Sequence, residues 1–447
     1  MMASDNQTDD YHELCRSFRW RLPEHFNVAD DVCGRWAGDR SRFALYYEDA
    51  SGFTSAHSFW DIQREANRLS NVLAALATVA GDRVAIVLPQ RPEAAIALLA
   101  ILQMGAIAVP LAHRLGPDAL AHRLGDSAAY LAIVDETTLP ILAQIRHRLP
   151  ALRHVVGVGA AVGKAVKPWG EVVEHASPRY TPAITAAADP ALILYSGASS
   201  GRGHGVVMAQ RTLLGNLYAY LSAHEGFPQA GDLFWSTIDW AGSGGLWQGL
   251  LATWHFGQPL LAYNGPFDAG KAFALLQRYA VQNCLLEPLA LQMMQQTLPE
   301  PRAACDLDLR TLASSGPPLA EPMRNWWHDK LGVTISQPWF RSGTSGILGH
   351  CTACWPSSPG SLGHPYPGHR VAIIDRQGRL LGPGEVGELA VNRQCNGEDD
   401  PALLLGLWQS GAVTAARVVG DGWVLTGDLA LVDAKGDFWH RGRTGDA

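Results

Sequence analysis

The chain has 447 residues, 47% hydrophobic and 17% charged, an ordinary globular balance with length for two or three domains. A net charge of -7 without any Lys/Arg-rich run excludes the electrostatic footprint of a nucleic-acid binder. Seven scattered cysteines behind the acidic start "MMASDNQTDDYHELC" fit neither a disulfide framework nor a secretory signal, so a cytoplasmic protein is expected.

From residue 83 the pattern alternates between strand and helix. "RVAIVL" reads as a buried strand, "RPEAAIALLAILQM" as a helix with Pro92 near its start, and "AIAVPL" as the next strand. The apolar stretch 94–112 is broken by Gly105 and Pro110, so it reads as a buried helix and strand rather than a membrane span. The same alternation returns at 117–136, at 191–224 and at 268–288. Strands alternating with helices predict mostly parallel sheets covered on both faces.

Near residue 360 the grammar changes. The runs 369–381, 384–393 and 422–443 are short strands with glycine-bearing turns at 376–378 and 434–436, which predicts a compact antiparallel unit. The stretch 157–190 reads as an extended connection. The expected fold is therefore α/β: two βαβ-type subdomains with mostly parallel sheets, over 1–185 and 186–357, plus a small antiparallel β-barrel subdomain over 358–447.

Three segments could carry chemistry. "YSGASSGRGHGVV", residues 195–207, has the glycines that let backbone N–H groups converge on a phosphate before a helix, although it lacks the Lys-Ser/Thr ending of a Walker A loop. A surface turn explains the same residues. In "LTGDLALVDAKGDFWHRGR", Asp428 follows a strand and a glycine, placed to accept hydrogen bonds from vicinal hydroxyls, and Arg443 follows the last strand; a turn-forming Asp is the plainer reading. In "DLFWSTIDWAGSGGLWQGLLATWHFG", residues 232–257, small residues and tryptophans surround Asp239, which suits either a pocket for a flat or aliphatic group or a glycine-packed helix start. Cys351 and Cys354 form a CxxC without a second ligand pair nearby, so no zinc site is expected.

In this order the segments resemble the AMP-forming acyl-CoA synthetases, the medium-chain branch of the adenylate-forming superfamily, over nearly the whole chain. That resemblance implies activation of a carboxylic acid by Mg-ATP to an acyl-adenylate, then transfer to coenzyme A. It implies nucleotide binding by Ser196, Gly197, Ser199, Ser200, Gly201, His204 and Gly205 of the phosphate loop, with Gly316, Arg341, Ser342, Asp428 and Arg443. Asp428 corresponds to the aspartate that binds the ribose hydroxyls. Trp235, Asp239, Trp240, Gly244 and Gly245 fall where the acyl pocket is lined.

The departures from the family pattern are specific. The loop lysine is His204, its proline Gly203, and the Thr/Ser positions Ser196 and Gly197. The family's Tyr-Gly-Gln-Thr-Glu corresponds to Trp339, Phe340, Arg341, Ser342 and Gly343, so magnesium loses its main protein carboxylate and no metal ligand is assigned. Pro317 replaces an acid near the adenine, and Gly445 stands at the hinge aspartate, where the family's C-terminal domain with its catalytic lysine would begin. The expected ligands are ATP or AMP, CoA, and a small carboxylic acid or acyl-adenylate, without nucleic acid or membrane span; a homodimer or protein partner stays open. The expected function is a catalytically impaired acyl-CoA synthetase-like AMP-binding protein. The alternatives are an active acid–CoA ligase whose C-terminal domain is removed or supplied elsewhere, and a non-catalytic scaffold.

Overall fold

A computed structural model describes residues 4–195, 203–316, 318–341, 343–344, 346–351, 355, 357–411 and 417–444. Two large, mostly parallel sheets carry the fold. The first has eight strands in the spatial order Gly406–Leu407, Gly205–Ala209, Pro190–Tyr195, Ile107–Pro110, Arg83–Val87, Leu131–Val134, His154–Gly157 and Lys167–Pro168. The strands from Pro190–Tyr195 onward in that order run parallel, and the first two pair antiparallel. The second has seven strands, ordered Ile335–Ser336, Thr311–Ser314, Asn283–Leu286, Phe234–Ser236, Leu260–Asn264, Phe43–Asp49 and Thr54–Ser58, parallel except for the last.

Sheet membership crosses the expected division at 185. Pro190–Tyr195 and Gly205–Ala209 join the first sheet, whereas Phe43–Asp49 joins the second. The stretch read as an extended connection contains the edge strand Lys167–Pro168 and the short helix Trp169–Glu174.

The apolar run at 94–112 is a helix, Pro92–Gln103, followed by the strand Ile107–Pro110, as its glycine and proline foretold. Pro92 occupies the first turn, where its missing N–H costs nothing, and every residue of the helix except Glu93 is buried. It shares one core with Val84 and Ile86 of the first sheet and with Leu45, Phe234 and Leu260 of the second. The helix Phe59–Ala75 joins that core; its start is fixed by reciprocal bonds between Ser58 and Asp61. Among the described residues no helix is long and apolar enough to cross a membrane.

The third unit is antiparallel as expected, but the expected barrel does not close. Its five strands, Val371–Ile374, Gly387–Asn392, Val418–Val419, Trp423–Val432 and Phe438–Arg443, form an open sheet. The ten-residue strand Trp423–Val432 takes Val418–Val419 at one end and Phe438–Arg443 at the other, so the sheet is too narrow to wrap round on itself. Its glycine turns form as read: Gly378 and Gly436 have φ of +80° and +88°, and their N–H groups bond to the carbonyls of Asp375 and Asp433.

His224, at the end of the helix Thr212–Ala223, connects that helix to the second sheet through a 2.8 Å Nδ1 contact with Thr311 Oγ1. Burial, with the Arg310 charge adding, pushes its imidazole pKa from 6.5 to about 3. The unfolded chain therefore takes up a proton near 6.5 that the folded chain refuses until about 3, so this stability is complete above about 6.5 and is lost as the pH falls through that window. Thermal melts across the same window should show a steeper acid-side decline for the wild type than for His224→Gln; parallel declines would count against a buried neutral imidazole.

Candidate functional site

Open α/β sheets bind ligands at the C-terminal ends of their parallel strands. Tyr195 ends a first-sheet strand directly before the phosphate-loop sequence. Ser196, Gly197, Ser199, Ser200 and Gly201 lie outside the described residues, as do Pro317, Ser342, Cys354 and Gly445. His204 is exposed beside that loop. Gly205 begins the returning strand, where an added Cβ would collide with Ile193 and the Tyr195 ring, and its carbonyl accepts the Trp408 N–H at 2.7 Å. Close packing accounts for a glycine there.

The sharpest feature is Asp428. It sits on the strand Trp423–Val432 after Gly427, whose φ of +81° turns the backbone and whose N–H donates to Glu388 Oε1 at 2.9 Å. The carboxylate is fully buried. Arg341 donates to both oxygens at 2.7 Å, from Nε to Oδ2 and from Nη2 to Oδ1, and Trp339 Nε1 donates to Oδ2 at 3.2 Å. His440 Nε2 and Arg443 Nε lie 3.7 Å and 3.8 Å from Oδ1. Asp428, Arg341 and Arg443 are thus brought together. Asp428 and Arg443 are direct partners in the strand register, whereas Arg341 arrives from beyond the second-sheet edge strand Ile335–Ser336. Trp339, aligned with the family motif but given no site role, and His440, given none either, join them.

Gly343 stands where the family has a carboxylate, and its backbone and surroundings suit a glycine. Its φ is +95°, an added Cβ would press on Val206 Cγ1 at 3.2 Å and Leu404 Cδ2 at 3.3 Å, and its carbonyl accepts the Leu404 N–H at 2.9 Å. Gly316, after the strand Thr311–Ser314, has φ +137° and lies against Pro288. Among the described residues no cluster of three or more His, Cys, Asp or Glu could hold a metal ion.

The proposed acyl-pocket residues separate. Trp235 packs on the outer face of the second sheet with Leu261, Leu276, Cys284 and Leu312, away from Trp240. Trp240 borders a small apolar crevice, with about 20 Å³ of accessible space, together with Ile86, Leu88, Pro110, Leu111 and Leu246. Leu246 begins a π-helical segment, Leu246–Leu251, a form frequent at functional sites. Gly245 immediately precedes that segment and lies against the preceding loop, where a Cβ would collide with the carbonyl oxygens of Ile238 and Asp239, while Gly244 lies at ordinary distance from Ser315 and Ile238. Gln90 Nε2 donates to Ile238 O at 2.7 Å and ties this loop to the first sheet.

Asp239 stands beside the crevice and accepts the Ala241 N–H at 2.9 Å. Burial pushes its carboxyl pKa up, and that of Glu287 rises through burial and the neighbouring Asp239 charge. The crevice residues Leu88, Leu111 and Trp240 all follow strand C-terminal ends, the one signal that could have located them from sequence.

Comparison with known proteins agrees with this geometry. Residues 35–398 match the family model described as AMP-binding enzyme. The acetyl-coenzyme A synthetase of Bacillus subtilis (strain 168) is 30% identical over 466 residues, covering 100% of this chain and 79% of the relative. A Brucella canis acyl-CoA synthetase structure superposes with a TM-score of 0.86 at 24% identity, covering 98% of this chain and 80% of that one. An anthranilate CoA ligase bound to anthranoyl-AMP superposes with a TM-score of 0.84 at 22% identity, covering 95% and 79%. The two superpositions bear on the fold, while the family model, spanning most of the chain, and the alignment of this whole chain to the Bacillus relative establish that this chain belongs to the AMP-binding enzyme family as an acyl-CoA synthetase-like protein.

Proposed function

We propose that this chain binds an adenine nucleotide and a small carboxylic acid in the cleft at the strand ends, and that its own acyl-adenylate formation is impaired. In the family reaction a carboxylate oxygen attacks the α-phosphorus of ATP, forming the acyl-adenylate and expelling pyrophosphate; the acyl group then passes to the thiol of CoA. Acid binding is supported by the apolar crevice beside Trp240. A small apolar group there leaves water.

The observation that carries the impairment is Gly343. Pyrophosphate departure needs charge compensation, which a metal held by a protein carboxylate would supply. At position 343 the backbone conformation disfavours any side chain, the adjacent space is filled by Val206 and Leu404, and the residue has no acid. The residues present do not fit the family's magnesium seat, so no step is routed through that ion. His204 in place of the loop lysine removes a permanent cation as well.

Acid-dependent exchange of pyrophosphate into ATP tests the reading. Loss of one preorganised charge lowers such rates by about 10²- to 10³-fold, so exchange with short and medium carboxylic acids should run at least that far below ordinary ligase rates. Exchange at ordinary rates would refute the impairment. Gly343→Glu should not restore activity, because the positive φ and crowding cost about 1–3 kcal/mol in denaturant unfolding. A Gly343→Glu protein of unchanged stability that gained magnesium-dependent exchange would show that the missing carboxylate is a simple deletion.

A further inference from the structure

We propose that Arg341 is a resident occupant of the ribose seat: its guanidinium makes the two-pronged approach to Asp428 that a sugar's vicinal hydroxyls would make, so a bound nucleotide gains no hydrogen bond from Asp428 while Arg341 stays. The inference rests on the nucleotide-binding reading above and deepens it.

Geometry is the first support. Nε and Nη2 of Arg341 each lie 2.7 Å from a different oxygen of Asp428, and Trp339 Nε1 takes a further position on Oδ2 at 3.2 Å. Asp428 is 0% exposed, whereas the Arg341 side chain is 35% exposed. A ligand entering from solvent therefore meets the guanidinium and not the carboxylate. His440 and Arg443 crowd the Oδ1 side at 3.7 Å and 3.8 Å.

Competition strength is the second. A guanidinium meets the carboxylate with charge on both partners and a fixed two-pronged fork, whereas a sugar diol's bonds to Asp428 would carry charge on the acceptor alone. A diol that displaced Arg341 would also strip a buried carboxylate of its counter-charge, which is strongly unfavourable unless another cation moves in. The arginine is held for this task by its surroundings. Its carbonyl accepts the Thr344 N–H at 3.1 Å, and the neighbouring Trp339 is fixed by its own N–H to Leu348 O at 2.8 Å.

The consequence is a site that selects its ligand without reading the sugar. Sites built to bond a substrate hydroxyl reject analogues lacking it by large factors, and a seat already filled loses that discrimination. The freed requirement shifts recognition toward the phosphate and base.

Calorimetric titration of the full chain with AMP and with 2′,3′-dideoxy-AMP tests the proposal. For the wild type the two affinities should agree within about threefold, and Arg341→Gln should raise the AMP affinity by about tenfold or more while leaving the dideoxy analogue behind, since one regained hydrogen bond corresponds to roughly a tenfold change. Should Arg341→Gln fail to fold, Arg341→Lys, which lacks the two-pronged fork, should give a smaller gain of the same sign, and the wild-type comparison stands without any variant. A wild type that prefers AMP by about tenfold or more overturns the proposal while leaving nucleotide binding intact. Equal AMP affinity in wild type and a folded Arg341→Gln also overturns it. If neither protein binds AMP or ATP, the nucleotide-binding reading itself falls, and the proposal with it.

Discussion

The helix Pro92–Gln103 offers water only Glu93, and much of the molecule follows from that constraint. Parallel sheets need cover on both faces, and an apolar-all-round helix needs burial on all sides. One packing satisfies both: the helix lies in a core shared by Val84 and Ile86 of one sheet and Leu45, Phe234 and Leu260 of the other. Joining the sheets through a common layer brings strand ends from both to one crevice, where Leu88 and Leu111 meet Trp240. The apolar part of the site is thus a by-product of burying the helix. Gln90, just before that helix, completes the link by bonding the Ile238 carbonyl of the second sheet's loop.

Asp428 poses a different problem. A carboxylate with no exposed surface must be paired or neutral. The antiparallel sheet cannot meet that need from its own strands alone: Arg443, directly across the register, reaches no nearer than 3.8 Å. Arg341 supplies the charge from the other side of the cleft, and the ion pair becomes a tie between the antiparallel unit and the end of the second sheet. Removing Arg341 would leave the buried carboxylate without its nearest counter-charge, the costly half of such a pair. The arrangement that holds the units together also covers the carboxylate.

Much of this was legible in the sequence where the signal is local. The buried helix, the antiparallel region and its glycine turns are written in short periodic runs, and the pairing of Asp428 with Arg443 follows from one hairpin. The Arg341–Asp428 pair spans 87 residues and joins a strand of the antiparallel sheet to chain beyond the second sheet's edge, so no local pattern announces it. Trp235 illustrates a subtler miss. It alternates with Phe234 and Ser236 along a strand, so it faces away from the cavity side that Phe234 shares, and period-two reasoning separates it from Trp240. Barrel closure failed for a reason of dimension: three longer strands and two short ones read as enough runs, but two of them share one edge of Trp423–Val432.

Arg341 and Gly343 are two residues apart, and their electrostatic effects are coupled. Relative to the family pattern, the segment gains a guanidinium where a neutral amide is expected and loses a carboxylate where a metal would sit, a change of two units of charge in the positive direction. Left uncompensated in a low-dielectric cleft, that change would be costly. Asp428 absorbs part of it by pairing with Arg341 at 2.7 Å, and the glycine lets the chain turn at φ +95° between Val206 and Leu404 without a side chain to place. In the proposed reading a charge balance once completed by a nucleotide and its metal has become self-contained, because the protein's own arginine now satisfies the carboxylate that the ligand was meant to satisfy. A site of that kind gains stability in its empty form and, by the same interaction, gives up part of the binding energy that would drive chemistry.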